Sequence, residues 1–343
     1  MPARSTRRRS RNQRTSRAAR AHTIRALSLA ELTGPDALEL VDVPEPVAAD
    51  GMVLIDVHAA GVSFPDLLLT RGEYQIRPDL PFTPGIEFAG VVRSGGDLAP
   101  GTRVAAAGML GGFAEVAAAP AAMTFALPDA LDFAQGAGFV MNYHTAYFAL
   151  HRRGRLREGE VVLVHGAAGG VGTATIQVAR AAGARVLAVT TGDEKAATAR
   201  EAGADEVIDS AADWVAAVRE RTAGRGADVV MDPVGGERFD QSLRAMAPEG
   251  RLLVVGFAGG TIPQLRVNRV LLRNVDVVGV NWGGFVGGAP DYLREAGDAL
   301  AALAEAGAVR PIVGARYPLA EGARALHDLA ERRALGKIVL EVR

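Results

Sequence analysis

The residues best suited to chemistry form a short run, His165-Gly166-Ala167-Ala168-Gly169-Gly170-Val171-Gly172, between an apolar stretch and a helix-periodic one. Read against G-x-G-x-x-G it is A-x-G-x-x-G, with Ala167 in the first glycine place. Each small residue has a physical task. Gly169 lets backbone approach a pyrophosphate, and Gly172 lets the following helix pack tightly on the preceding strand. Ala168, Gly170 and Val171 carry the turn into that helix. Its free N–H groups and partial positive charge suit a phosphate. The run predicts a dinucleotide cofactor.

The end of the next strand chooses between the two nicotinamide cofactors. An NAD site usually has an acid there for the ribose hydroxyls. Here the strand ends Ala188-Val189-Thr190-Thr191-Gly192, and Asp193 comes late, on the loop. Thr190, Thr191 and Lys195 offer hydroxyls and a cation to a 2′-phosphate, which favours NADPH. Of the 38 basic residues only Lys195 and Lys337 are lysine. A chain that otherwise uses Arg invites a specific reason for each. For Lys195 the reason is phosphate contact, against a solvated cation at a helix start. Lys337 is read either as a cofactor contact or as a polar residue opening the last strand.

The chain has no Cys. That excludes disulfides, thiolate nucleophiles, Cys-ligated zinc and iron–sulfur clusters. No stretch approaches the roughly 18–20 unbroken apolar residues of a membrane span. The first 20 residues hold eight Arg and no acid, so a net charge of −1 for the whole leaves −9 for the remainder. This arm, residues 1–23, is expected to be disordered. It reads as a nucleic-acid arm, a transit peptide or an extension without a role. The acidic remainder argues against nucleic-acid binding by the folded part. With no apolar segment after the arm, a cytoplasmic location is expected.

The elements that must position these residues divide in two. From Ile24 to about residue 125, short alternating strands with Gly and Pro turns predict a mostly β region. Leu131 to about Leu150 has a helical period. From Gly159 strands and helices alternate, and Val161-Val162-Leu163-Val164 is the continuous apolar run of a strand buried on both faces. The pattern calls for an α/β fold with a doubly wound parallel sheet. A Gly-rich loop at residues 283–288, two helices and a last strand, Lys337 to Val342, complete the chain.

Several strings in order resemble the zinc-independent medium-chain dehydrogenase/reductase family, in particular its NADPH:quinone oxidoreductase, zeta-crystallin-like branch. They are Gly61-Val62-Ser63-Phe64-Pro65-Asp66, Leu80 to Gly90, Asn142-Tyr143-His144-Thr145-Ala146-Tyr147, Ala167 to Gly172, Val254-Val255-Gly256-Phe257, Asn268, and Gly336-Lys337-Ile338-Val339-Leu340. The resemblance implies a GroES-like β-rich catalytic domain from 24–141 and 281–343, and a Rossmann NADPH-binding domain from 142–280. It implies an active site in the cleft between them and a homodimer paired through the edge strand near Val275–Val280. Ser63, Asp66, Asn142 and Thr145 would lie near the nicotinamide, and Gly256, Phe257 and Lys337 would join the cofactor contacts. Ser63 stands where the family usually has Asn, and Leu68 where relatives often have Tyr.

The chemistry this implies is hydride transfer from NADPH to a quinone or an α,β-unsaturated carbonyl without zinc. Hydrogen bonds would stabilise the developing enolate. His58 and Glu87 without a third ligand do not make a zinc site. His58 reads as a strand-end polar residue, and Glu87 as a buried carboxylate structuring the domain interface. Tyr74, Tyr143 and Tyr147 are possible proton donors, although a core role suits each better. Trp282 and Phe285 offer an apolar roof for a flat acceptor. The alternatives are an enoyl-thioester reductase, or a non-enzymatic nucleic-acid-binding protein using the Arg-rich arm.

Overall fold

The computed structural model describes residues 22–343. The Arg-rich segment expected to be disordered falls, but for its last two residues, outside them. β1 (Thr23–Leu29) pairs antiparallel with β2 (Leu38–Pro44). β3 (Met52–Val62), the short α1 (Phe64–Thr70), β4 (Glu87–Ser94), β5 (Arg103–Ala107), β6 (Val116–Pro120) and β7 (Thr124–Ala126) follow. Their side chains alternate between faces. One face gathers Val53, Ile55, Val57, Phe88, Val104 and Ala106 into a core.

The helical stretch expected over Leu131 to Leu150 is broken. It forms α2 (Phe133–Gly136), α3 (Val140–Tyr147) and a π-helical turn, Phe148–Arg153. Glycine is a poor helix former. Gly136 abuts Ala89 and Leu127, and Gly138 lies against the Lys337 stem, so packing fixes the break.

Strands and helices then alternate: β8 (Val161–His165), α4 (Gly170–Ala181), β9 (Arg185–Thr190), α5 (Asp193–Glu201), β10 (Glu206–Asp209), α6 (Trp214–Arg221), β11 (Ala227–Asp232), α7 (Glu237–Ala245), β12 (Met246–Val254), α8 (Asn268–Arg273) and β13 (Asp276–Gly279). The six strands make an all-parallel sheet in the order β10-β9-β8-β11-β12-β13. The chain runs outward from β8 to β10, then crosses back to β11. That reversal opens a crevice at the carboxyl ends of β8 and β11, where ligands of such sheets bind.

After β13 the glycine-rich stretch is not all loop. Asn281 Oδ1 accepts from Gly284 N and starts the one-turn α9 (Trp282–Val286). α10 (Pro290–Glu305) follows, and Trp282, Val286, Leu293 and Leu300 share one buried cluster with α3 and α4. β14 (Val313–Pro318), α11 (Gly322–Ala330) and β15 (Lys337–Glu341) return to the first sheet. Its order is β14-β15-β3-β4-β5-β7, with β6 on β3. The last strand thus lies beside the strand that leads into Ser63.

Candidate active site

β8 ends at the fully buried His165, whose Nε2 lies 2.8 Å from Ser242 Oγ. Gly166, at φ +58°, turns the chain, and Gly169 N donates to its carbonyl at 3.0 Å. Gly169 caps α4 in an extended conformation without a side-chain cap, so no side chain competes for the first amides. A Cβ on Gly172 would fall 2.2 Å from Gly166 O and 2.8 Å from the Ala167 backbone. Only glycine lets α4 start this close to β8. Asn142 lies over Gly170, and its Nδ2 donates to Gly138 O at 3.2 Å. Thr145 is one turn further along α3 and partly exposed.

The carboxyl edge of the sheet holds the other expected cofactor residues. Thr190 is buried and accepts from Ser210 N at 2.8 Å; Thr191 is exposed and its hydroxyl bonds to Ser210 Oγ. Lys195 is half-exposed in the first turn of α5. Gly256 and Phe257 follow β12 beside the turn Pro233-Val234-Gly235, with the Phe257 ring against Gly235. Asp232 Oδ1 accepts from Val234 N and Gly235 N, both at 2.9 Å, and orders that turn. Ser210 and Arg238, which donates to Ser210 Oγ at 3.0 Å, were not visible as site residues in the sequence.

Facing the glycine loop from the first sheet is a buried array of polar groups. Lys337 donates to Ser63 Oγ at 2.7 Å and forms an ion pair with Glu87 Oε1. Ser63 Oγ donates to the same Glu87 oxygen at 2.9 Å, and Met141 N donates to Glu87 Oε2 at 3.1 Å. The Lys337 and Glu87 side chains are only 5% and 1% exposed. Glu87 is thus a buried, hydrogen-bonded carboxylate, as the sequence suggests. For Lys337 the structure corrects the reading: its ammonium turns to Glu87 and Ser63, and its neighbour touches the glycine loop. Gly336 N donates to Ala168 O at 2.6 Å, a link with no sequence signal.

Asp66 is a second correction. It was expected beside the ring, yet it is fully buried and clamps backbone. Oδ2 accepts from Ser63 N at 2.9 Å, and Oδ1 from Gly85 N at 3.0 Å and Ile86 N at 3.2 Å. With Ser63 it forms a capping box at the start of α1. Burial pushes its carboxyl up to about 7, against the pull of these N–H groups and Lys337. It positions Ser63.

Of the aromatic candidates Tyr143 and Trp282 are core residues, while Tyr74, Tyr147 and Phe285 are partly buried against the clusters. Tyr143 is buried and donates to Gln177 Oε1 at 2.8 Å. Tyr147 lies against His151, and Tyr74 joins the cluster of Leu29, Leu69 and Phe82. Trp282 and Phe285 correct the roof reading. Trp282 is buried against His144, and Phe285 stacks on Phe148 with Arg152 over its face. His58 stacks on Phe133 with centroids 4.2 Å apart. Among the described residues no three His, Cys, Asp or Glu side chains form a group able to hold a metal.

Comparison with known proteins agrees with this architecture. Residues 49–129 match the alcohol dehydrogenase GroES-like domain, and residues 170–302 match the zinc-binding dehydrogenase domain. Quinone oxidoreductase-like protein 2 of Bos taurus is 37% identical over 93% of this chain and 93% of its own length. Quinone oxidoreductase of Rattus norvegicus is 35% identical over 92% of this chain and 97% of its own. Among solved structures, a probable oxidoreductase from Mycobacterium abscessus has 45% identity and a TM-score of 0.86, covering 94% of this chain and 100% of that one. Quinone oxidoreductase of Escherichia coli, complexed with NADPH, has 28% identity and a TM-score of 0.85, covering 93% and 100%. The chain belongs to the medium-chain dehydrogenase/reductase family, in its quinone oxidoreductase branch.

Proposed function

We propose that the protein is an NADPH-dependent reductase that passes hydride to a quinone or an α,β-unsaturated carbonyl without zinc. The observation that carries this reading is the uncapped glycine loop at the switch point of the parallel sheet, with the Asn142 amide packed on Gly170 and Gly336 bonded to Ala168 of the loop. The free amides of Gly170 and Val171 at the start of α4 would hold the pyrophosphate, and Thr190, Thr191 and Lys195 the adenosine end. NADPH bound there would supply the hydride. Ser63 Oγ accepts one bond from Lys337 and gives one to Glu87. One lone pair remains, which suits an amide N–H such as the nicotinamide carboxamide. Asn142 gives an N–H to Gly138, leaving Oδ1 as an acceptor beside Gly170.

The residues present do not fit a zinc ion. Glu87 is taken up by Lys337, Ser63 and the Met141 amide, His58 is stacked elsewhere, and the chain has no thiolate. Without a Lewis acid, an electron-poor π system is an easier partner than an unactivated alcohol. A panel of quinones and enones with NADPH and NADH tests the reading. Oxidation of NADPH by at least one acceptor is expected; a purified, folded enzyme inert to the whole panel sinks it.

Cofactor choice gives a sharper expectation. Lys195→Ala should raise KM for NADPH about tenfold, the effect of one charge-assisted hydrogen bond, and leave that for NADH within about twofold. Equal shifts would mean that Lys195 does not meet the 2′-phosphate.

We also propose a homodimer. β13 is an unpaired edge of the parallel sheet, and Val267, Leu271 and Leu272 beside it are about three-quarters exposed. An open strand edge with an apolar flank favours pairing with a second copy. Light scattering should give a dimer for the wild type and a monomer for Leu271→Glu with Leu272→Glu. A wild-type monomer at micromolar concentration would remove the proposal. No helix among the described residues is long and apolar enough to cross a membrane, and a cytoplasmic location belongs to the same reading.

A further inference from the structure

The segment that Asp66 ties to Ser63, residues 80–86, lies main chain against main chain with residues 108–113. Gly108 N donates to Ile86 O at 2.9 Å, and Gly111 N to Thr83 O and Gly112 N to Gly85 O at 2.8 Å. Glycine makes this approach possible. A Cβ on Gly85, at φ +103°, would fall 2.4 Å from Phe113 N, and one on Gly112 would fall 2.7 Å from Gly85 O. With the backbones this close, the apolar side chains at the tips find no room between the two segments. Leu110 packs, partly buried, on the cluster of Leu29, Leu69, Phe82 and Ile86, while Met109 is 59% and Leu80 43% exposed. Neither segment contains a charged residue.

This apolar surface is continuous with the candidate site. Met141 packs on the same cluster as Leu110 and is also partly exposed. Its N–H donates to Glu87 Oε2, and the other Glu87 oxygen accepts from Ser63. The next residue, Asn142, lies over Gly170 of the phosphate loop. Tyr74 and Ile76 pack on the cluster as well. Among the described residues, every exposed large apolar side chain except Val47, Leu80 and Met109 falls within residues 262–277, the region of α8 and β13. Two such side chains on hydrogen-bonded loops next to a candidate site mark a ligand surface, where a lone one would not.

We propose that Met141, Leu110, Met109 and Leu80 form a subsite for an apolar side chain of the acceptor, and that the substrates are quinones and enones bearing an alkyl or prenyl chain. The proposal rests on the reductase reading above and deepens it. With the acceptor ring at the nicotinamide, its chain would run over Met141 and Leu110 towards Met109 and Leu80. Methionine suits this task, because its unbranched, polarisable side chain adapts to flexible apolar ligands. Two uncharged segments offer nothing to a phosphate-bearing thioester carrier, which calls for cations. The transfer itself is unaltered: the quinone takes hydride from NADPH and a proton from solvent, giving the hydroquinone and NADP+.

The test compares, with NADPH and the full chain, two benzoquinones that share one ring and differ only in a methyl or a decyl substituent. The wild type should show a kcat/KM at least about tenfold higher for the decyl compound, the gain expected from burying a few methylenes. The double variant Leu80→Ser, Met109→Ser should cut that ratio about fivefold, and Met109→Leu, which keeps the apolar surface, should retain it. Both positions are exposed, and thermal melting verifies that the variants fold. A wild-type ratio near one overturns the proposal, while turnover of the methyl compound leaves the reductase reading standing. A folded double variant that keeps the full ratio overturns it too; a change of oligomer by light scattering would then assign the patch to a second copy. Failure of both quinones to oxidise NADPH overturns the proposal together with the quinone reading beneath it.

Discussion

Lys337→Met is expected to remove about 3–5 kcal/mol of stability, the usual cost of stranding one member of a buried ion pair. The substitution keeps most of the side-chain volume, so the loss reads charge and not packing. Glu87 would remain almost fully buried, with Ser63 and the Met141 amide as its only donors. The surroundings leave little room for water to enter. A Cβ on Gly61 would fall 2.7 Å from Lys337 Cε, and one on Gly138 would fall 2.9 Å from Lys337 Cγ. The double variant Lys337→Met, Glu87→Gln should recover much of the loss, because neither charge is then abandoned and Gln still accepts from Ser63 or Met141. Urea denaturation of the wild type, both single variants and the double variant closes the cycle. A loss under about 1 kcal/mol for Lys337→Met would show that the pair is wet and dispensable.

This pair also marks where the sequence stops being legible. Its partners are 250 positions apart, and no local pattern joins them. The rarity of lysine pointed correctly to Lys337 as a special residue but suggested the wrong neighbour. The glycines hold the local trace of this pair: Gly61 before Ser63, and Gly138 inside a helical stretch, are the clearance for the lysine stem. Asp66 was legible in another way. Ser63-x-x-Asp66 is a helix-start pattern, and its local reading as a cap was available before any role at the ring. The buried strand and the A-x-G-x-x-G turn were readable because each is set within a dozen residues. Ser210 and Arg238 were not, because the residues after β10 and at the start of α7 meet only through the reach of the Arg238 side chain, with β9 and β8 lying between β10 and β11. Trp282 failed for the opposite reason: a glycine-rich neighbourhood looked like loop, and Asn281 capped it into a helical turn whose Trp enters the core.

Gly172→Ala is expected to weaken NADPH binding by about 100-fold or more, the scale set by a misplacement of about 1 Å in a binding constellation. The added methyl would meet backbone on two sides, Gly166 O and Ala167, and no rotamer moves it away. Either α4 withdraws from β8 or the Gly166–Ala167 turn is pushed out. Both displace the Gly170 and Val171 amides that would face the pyrophosphate. Gly170→Ala supplies the internal contrast. Its methyl would meet only the Asn142 side-chain amide, at 2.7 Å from Nδ2, and that group can swing at the cost of one hydrogen bond to Gly138. About a tenfold loss is expected there. Gly288→Ala, with nothing within 4 Å of the added carbon, should bind as the wild type does. Fluorescence titration with NADPH ranks the three, and thermal melting separates a displaced loop from an unfolded domain. If folded Gly172→Ala binds within about threefold of the wild type, the close approach of α4 to β8 is not what holds the phosphate loop in shape.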